Sequence, residues 1–173
     1  MTFTELVSSR YSVRKFRPDA IPAEVLSAIL EAGRCAPTAV NYQPQKIYIV
    51  KDPAKRQAMA ALTPMQFAFT APTLLVIGYD KNLAWKNKQI PGYCSGEADA
   101  AIVATHMMLA AWEQGVGSCW VGVFSDKQIA EALDLPENIQ VTAMMPLGYP
   151  AEDAAPGPLH GKRRPLEETV TEL

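Results

Sequence analysis

The stretch TLLVIGY at residues 73–79 constrains the fold most, because nearly every residue in it is apolar. A strand that faces water on one side alternates apolar and polar residues, whereas a strand covered on both faces has a continuous apolar run. We therefore predict a strand inside a sheet that has helices on both faces. Such a chain needs three layers of secondary structure.

Further strands and helices alternate along the chain around this central strand. Strands are predicted at KIYIV (46–50), SCWVGVF (118–124) and IQVTAMMPLGY (139–149). The longest predicted helix covers residues 96–114, and Gly115 suits the position just after a helix end. Most of the strands look buried, so the pattern favours a three-layer α/β or α+β sandwich over a helical bundle.

Four shorter helices are indicated by residues that commonly begin a helix. These start signals are Thr2 with Glu5, Pro22, Asp52 with Pro53, and Ser125 with Gln128. The helix after Pro22 has an apolar stripe of Val25, Leu26, Ile29 and Leu30, and it is predicted to end before Pro37.

The composition fits one globular domain in a reducing compartment. The chain has 173 residues, of which 49% are hydrophobic, enough for a sizeable core. No apolar run is long enough to span a bilayer, and the first residues lack the pattern of a signal peptide. Cys35, Cys94 and Cys119 lie far apart without a CxxC pattern, which disfavours a disulfide framework and a zinc site. We expect a cytoplasmic protein without a metal.

The segment RYSVRKF at residues 10–16 is unusually basic for this chain. It contains Arg10, Arg14 and Lys15, although the formal net charge is −2. A pI near 5.7 argues against a dedicated nucleic-acid binder, so the cluster needs a local reason. A proline follows Arg17, which disfavours a helix there and favours an extended chain.

In an extended segment, alternate side chains share a face. Arg10, Ser12 and Arg14 would then form a row of roughly 13 Å, while Tyr11 and Val13 would face the core. Two guanidinium groups and a hydroxyl suit an elongated anionic ligand that carries a phosphate. An ordinary solvated edge is the alternative interpretation.

A second basic cluster, GKRRPLEE (161–168), lies in a terminal stretch rich in proline and glycine. We divide the chain into a core, 1–149, and a C-terminal arm, 150–173, that lies on a partner subunit; a flexible tail is the alternative. If the arm folds back, both basic clusters would share one phosphate dianion. No glycine-rich nucleotide fingerprint is present, since the glycines of 115–122 follow a helix and precede a strand.

Five segments, in this order, resemble motifs of the nitroreductase-like flavoproteins, which bind FMN. The segments are RYSVRKF (10–16), APTAVNYQP (36–44), LAAWEQGVGSCWVGVF (109–124), LGYP (147–150) and KRRPLEE (162–168). Each motif alone is weak, but five in order over nearly the whole chain are specific. The resemblance lowers the weight of the solvated-edge interpretation.

The resemblance implies an α+β three-layer sandwich, with a central, mostly antiparallel sheet between helices and a C-terminal arm that reaches a partner subunit. It also implies a homodimer that binds FMN at the subunit interface. The arm, 150–173, would complete both the FMN site and the dimer interface.

The resemblance also implies which residues contact FMN, and it implies no catalytic side chain and no metal. The phosphate would be held by Arg10, Ser12, Lys162 and Arg164. The ribityl chain or pyrimidine edge would be approached by Arg14. The flavin would be contacted from the other subunit by Pro37, Thr38 and Asn41, and at N5 and O4 by the backbone N–H groups of Gly122 and Val123.

Some residues depart from the family pattern. Tyr11 occupies a cofactor-binding position where a second arginine is frequent, which removes one possible phosphate contact. Thr38 replaces the commoner serine and keeps the hydroxyl, and Gln45 replaces a frequent tryptophan. The chain lacks much of the helical insertion of longer members, so the stretch 80–95 is a candidate lid or an inert surface loop.

The predicted function is an FMN-dependent oxidoreductase. NAD(P)H would reduce the flavin, and a nitroaromatic or quinone-type acceptor would then take the electrons by a ping-pong mechanism. The alternatives are a same-fold flavoenzyme with different chemistry, dehalogenase-like or flavin-fragmenting, and a non-enzymatic flavin-binding redox sensor. A nucleic-acid-binding module is a further alternative, which the acidic pI disfavours.

Overall fold

The computed structural model describes residues 1–173. Its strands are β1 Gln45–Ile49, β2 Thr73–Asp80, β3 Gly117–Ser118 and β4 Ile139–Gly148. Its α-helices are α1 Phe3–Ser9, α2 Ala23–Arg34, α3 Pro53–Ala60, α4 Gly96–Glu113 and α5 Asp126–Ala132. The strands form one antiparallel sheet in the order β1-β2-β4-β3. The predicted α+β class with an antiparallel sheet is confirmed.

The central strand β2 is buried on both faces, as its apolar run predicts. Leu75 and Ile77 belong to a cluster with residues of α2 and α4. Leu74 and Val76 point the other way and belong to a second cluster with residues of α3 and α5. Burying such a side chain fully contributes about 1.5–3 kcal/mol. The sheet is therefore the middle of three layers.

Helix α4 is the longest helix and covers one face of the sheet. Val103, Ala104 and Met107 are fully buried along it. Gly115 has φ +73°, which confirms its predicted position after the helix end. Helix α2 lies very close to α4, since a Cβ on Gly33 would be 2.7 Å from Cγ of Met107. No helix in this fold combines the length and the apolar character that crossing a membrane requires.

The predicted capping residues begin their helices as expected. Thr2 and Glu5 form a reciprocal capping box at α1. The Ser125 hydroxyl accepts the N–H of Gln128 at 3.4 Å at the start of α5. The Asp52 carboxylate accepts the N–H of Ala54 at 2.8 Å at the start of α3. Each cap satisfies a backbone donor that the helix leaves free.

Replacing Asp52 with alanine should destabilise the protein by about 1 kcal/mol, because the Ala54 N–H loses its acceptor. Urea unfolding followed by circular dichroism would measure the loss. Asp52→Asn is the matched control, since asparagine caps helices about as well as aspartate and should cost only a few tenths of a kcal/mol. Equal destabilisation by both variants would contradict a capping role.

The predicted strand at 118–124 is wrong for most of its length. Only Gly117 and Ser118 are paired in β3, and residues 119–120 form no backbone hydrogen bond. Val121 returns to β4 by two 2.9 Å hydrogen bonds with Met144, and the chain then leaves the sheet. The Val13 N–H of the basic segment donates to the Ser118 carbonyl on the outer edge of β3. The regular strand therefore does not continue beyond Ser118.

The terminal stretch is extended and exposed over much of its length. Residues 161–173 are all exposed and contain one short 3₁₀-helix, Leu166–Glu168. Residues 150–160 lie closer to the core, against the basic segment. The division into a core, 1–149, and an arm, 150–173, stays a prediction.

Candidate functional site

The basic segment is hydrogen-bonded to β3 and to the residue that follows β4. The Val13 N–H donates to the Ser118 carbonyl at 2.9 Å, and the Arg17 N–H donates to the Tyr149 carbonyl at 2.9 Å. These bonds hold residues 10–17 in an extended conformation. The segment therefore runs along the same edge of the sheet as the stretch that follows β3.

Side chains of the basic segment alternate between core and surface, as predicted. Tyr11 and Val13 are buried, whereas Arg10 and Ser12 are half-buried and Arg14 is exposed. The Tyr11 ring packs edge-on against Trp112 of α4, with centroids 5.1 Å apart. The core side anchors the segment, and the other side presents its polar groups.

A cavity of about 350 Å³ lies over the polar side of the basic segment. Its lining consists of Arg10, Tyr11, Ser12, Arg14 and residues 157–160. A smaller space of about 250 Å³ adjoins it and shares Ser12, Arg14 and Gly157. Guanidinium groups and a hydroxyl around one cavity form the donor set that a phosphate requires. We call the larger space, of about 350 Å³, the basic cavity.

The third cation of the segment is already paired. The Lys15 ammonium donates to the Asp153 carboxylate, and both side chains are mostly exposed. Lys15 also lowers the pKa of Asp153 below its ordinary value. Arg10 and Arg14 have no carboxylate partner. They are the two cations of the segment available to an anionic ligand.

The terminal stretch contributes different residues to the basic cavity than the sequence predicts. His160 lines the cavity, and its ring lies edge-on to Tyr11 with centroids 6.2 Å apart. Lys162 and Arg164 are exposed and are not among the lining residues. Their assignment to the FMN phosphate stays a prediction. No sequence pattern singles out His160, because an isolated histidine among turn residues carries no periodicity.

Gly122 and Val123 lie on an exposed turn after β3. The Val123 carbonyl accepts the Thr63 hydroxyl at 2.6 Å, and Thr63 is buried. The N–H groups of Gly122 and Val123 donate to no acceptor within the chain. Two free, adjacent N–H groups on an anchored turn suit a ligand that accepts hydrogen bonds.

Arg14 lines the basic cavity, and its side chain also lies near Phe67. Its guanidinium carbon is 6.0 Å from the centroid of the Phe67 ring, and one of its nitrogens donates to the Ser12 carbonyl at 3.3 Å. Burial raises the pKa of the nearby Cys119 thiol, an effect that Arg14 and Ser12 partly offset. Cys119 therefore stays a neutral core thiol, and it supplies no nucleophile to the site.

The loop at 37–43 has an unusual backbone. Val40, Asn41 and Gln43 have φ values of 54°, 55° and 51°, a region that residues with a Cβ seldom adopt. The Thr38 hydroxyl accepts the Gln43 N–H at 3.1 Å, which closes the loop. Pro37 and Asn41 are exposed. No hydrogen bond links this loop to the basic segment of the same chain.

A larger cavity lies elsewhere, between α5 and the start of β4. It measures about 520 Å³ and is lined by Lys81 and Lys127 together with Asp126, Glu131 and Glu137. Acidic side chains outnumber basic ones there, so the cavity does not fit a phosphate. The basic cavity is the better candidate site because its charged lining is wholly cationic.

Comparisons with known proteins identify the family of this chain. The nitroreductase family matches residues 7–66 and 62–149 of the chain. A protein named NADH dehydrogenase from Thermus thermophilus is 30% identical, over 93% of this chain and 91% of its own length. The crystal structure of a nitroreductase family protein from Clostridium difficile 630 is 31% identical, with a TM-score of 0.88 and coverage of 99% and 98%.

A third similar structure is the FMN-dependent nitroreductase of Clostridium difficile R20291. It is 28% identical, with a TM-score of 0.75, and the match covers 87% of this chain and 89% of that one. The chain belongs to the nitroreductase family. The family predicted from the five sequence motifs is therefore confirmed.

Proposed function

We propose that this protein is an FMN-dependent NAD(P)H oxidoreductase that reduces nitroaromatic or quinone-type acceptors by a ping-pong mechanism. One observation carries the proposal: the basic cavity lies on the segment that is hydrogen-bonded to β3, and the two free N–H groups of Gly122 and Val123 belong to the stretch that follows β3. FMN combines a phosphate with a ring that accepts hydrogen bonds. The family and its FMN-dependent member support the same cofactor.

In this proposal, Arg10 and Ser12 hold the phosphate, and Tyr11 closes the cavity from the core side. Charge-assisted hydrogen bonds to arginine are strong, and the segment is already ordered by its backbone bonds to β3. Lys162 and Arg164 are assigned to the same phosphate from the exposed terminal stretch. Their placement there requires the stretch to move or to come from a partner subunit.

When bound, FMN supplies hydride transfer from NAD(P)H to the acceptor. Arg14 would place positive charge near the flavin ring, which would favour its reduction. The N–H groups of Gly122 and Val123 orient the ring. We assign no side chain as a proton donor, since solvent reaches this exposed turn.

We also propose that the active form is a homodimer. Large apolar side chains are exposed around the assigned residues, notably Val40, Tyr42, Trp120 and Val123. A subunit interface would cover such side chains. Pro37, Thr38 and Asn41 would then contact the flavin of the other subunit, and the arm would cross the interface. The predicted cytoplasmic location rests on composition and stays a prediction.

The stretch 80–95 is proposed to cover the substrate. It is held by edge-on packing of Trp85 against Tyr93, with centroids 6.3 Å apart, and by an isolated pairing of Lys86 with Cys94. These contacts give a polar and aromatic loop a defined shape. Aromatic side chains on such a loop suit flat acceptors.

The purified protein should show a flavin absorption spectrum, and NAD(P)H added without oxygen should bleach it. A quinone or nitroaromatic acceptor should then restore the band after NAD(P)H is exhausted, as a ping-pong mechanism requires. A spectrum that NAD(P)H does not bleach would favour the redox sensor or another reductant. Failure to bind supplied FMN would overturn the proposal.

A further inference from the structure

Asp99 is a buried carboxylate to which the proposed chemistry assigns no role. It lies in the first turns of α4, and only 2% of the residue is exposed. One oxygen accepts the backbone N–H of Ala39 at 2.8 Å, and the other accepts the Ser95 hydroxyl at 2.7 Å. A buried carboxylate is costly unless it is hydrogen-bonded, so both bonds are needed.

The first of these bonds reaches the loop that the proposed function assigns to the flavin. Ala39 lies between Thr38 and Asn41, and the two residues that follow it, Val40 and Asn41, have the left-handed backbone described above. Such conformations persist only where surrounding contacts enforce them. The bond from Ala39 to Asp99 ties this loop to the rigid helix α4.

The second bond reaches the stretch proposed to cover the substrate. Ser95 is itself buried, and its N–H donates to the Trp85 carbonyl at 2.9 Å. Asp99 therefore joins two loops through one side chain. Residues 37–43 and 80–95 share no direct hydrogen bond, and the nearest one joins the Asp80 N–H to the Pro44 carbonyl at 2.8 Å, just past the end of the first loop.

We propose that Asp99 is a positioning residue, which fixes the flavin-contacting loop at 37–43 and couples it to the substrate-covering stretch at 80–95. The inference deepens the proposed function and rests on it. Asp99 touches neither cofactor nor substrate. It acts through Ala39 on one side and through Ser95 on the other.

Asp99→Ala tests the inference, because it removes both acceptors. We expect the Kd for FMN to rise about tenfold or more, measured by flavin titration of the flavin-free protein. Asp99→Asn should restore affinity to within about threefold of the original protein. Its amide oxygen accepts the Ala39 N–H, and its NH₂ group donates to the Ser95 hydroxyl, which can act as an acceptor.

Ile129→Val is the control for a general loss of stability. Ile129 is fully buried on the opposite face of the sheet, in the cluster formed with α3 and α5. It should lower the urea midpoint while leaving the Kd for FMN unchanged. If Asp99→Ala binds FMN as tightly as Ile129→Val does, the positioning role is overturned.

Ser95→Ala distinguishes the two connections made by Asp99, because it removes only the hydrogen bond from the Ser95 hydroxyl. It keeps the Ala39 bond, so the Kd for FMN should change less than twofold, whereas the KM for the acceptor should rise at saturating FMN with little change in kcat. A rise in the Kd for FMN equal to that of Asp99→Ala would contradict this division.

Amide hydrogen exchange of the flavin-free protein makes this inference separable from the proposed function. Asp99→Ala should speed exchange at residues 38–43 and 85–95 more than in the rest of the chain, and Asp99→Asn should not. Uniformly faster exchange would overturn the coupling. Failure of the original protein to bind FMN, with this local exchange pattern intact, would instead overturn the proposed function.

Discussion

Replacing Arg10 with alanine should weaken FMN binding by about 10- to 100-fold. Arg10 lines the basic cavity and has no acceptor or ion-pair partner in the chain, so its guanidinium is free for a phosphate. A hydrogen bond to a charged group contributes about 1.5–3 kcal/mol, and each 1.4 kcal/mol is about a factor of ten in Kd. Titration of the flavin-free protein with FMN would measure the change.

Riboflavin provides the sharpest control for this prediction, because it lacks the phosphate. Arg10→Ala should leave riboflavin affinity nearly unchanged, so the ratio of the two affinities reports the phosphate contact. Lys127→Ala controls for net charge, since Lys127 is largely exposed on α5, away from the basic cavity. Equal losses for FMN and riboflavin would place Arg10 away from the phosphate.

Local sequence signals predicted most of the fold correctly. The apolar run of β2 specified a strand covered on both faces, and the capping residues Thr2, Asp52 and Ser125 placed the starts of three helices. These features depend on neighbours within a few residues. Their physical causes are therefore visible in the sequence.

The strand predicted at 118–124 failed because pairing depends on residues far away in the chain. The stretch is apolar enough for a strand, but Val13 occupies the edge at Ser118, and the turn at Val123 is anchored by Thr63. Both partners lie more than fifty positions from the residues that they contact. Strand propensity alone does not reveal such contacts with distant residues.

In the candidate site too, features that depend on neighbouring residues were predicted, whereas contacts with distant segments were not. Alternation along one extended segment correctly predicted which face carries Arg10, Ser12 and Arg14. The pairing of Lys15 with Asp153 and the position of His160 depend on how the terminal stretch folds back. That stretch is rich in turn residues and has no periodicity, so its contacts were not predictable.

Replacing Gly78 with alanine should destabilise the protein by about 3 kcal/mol or more, a large part of the 5–15 kcal/mol that typically holds a domain folded. Gly78 lies in β2 where the pairing with β4 shifts register. A Cβ there would be 2.2 Å from the Gln140 carbonyl oxygen, and backbone atoms cannot rotate away as a side chain can. Urea unfolding would measure the loss.

Gly161→Ala is the matched control, because a Cβ at Gly161 meets nothing within 4 Å. Its effect on the free energy of unfolding should stay within about 0.5 kcal/mol. The Gly78 variant should also lose FMN affinity, since β4 holds Val121 through Met144 and so supports the turn that contains Gly122 and Val123. A Gly78 variant as stable as the Gly161 variant would show that the two strands separate easily, and the sheet would then not be the rigid support on which this site depends.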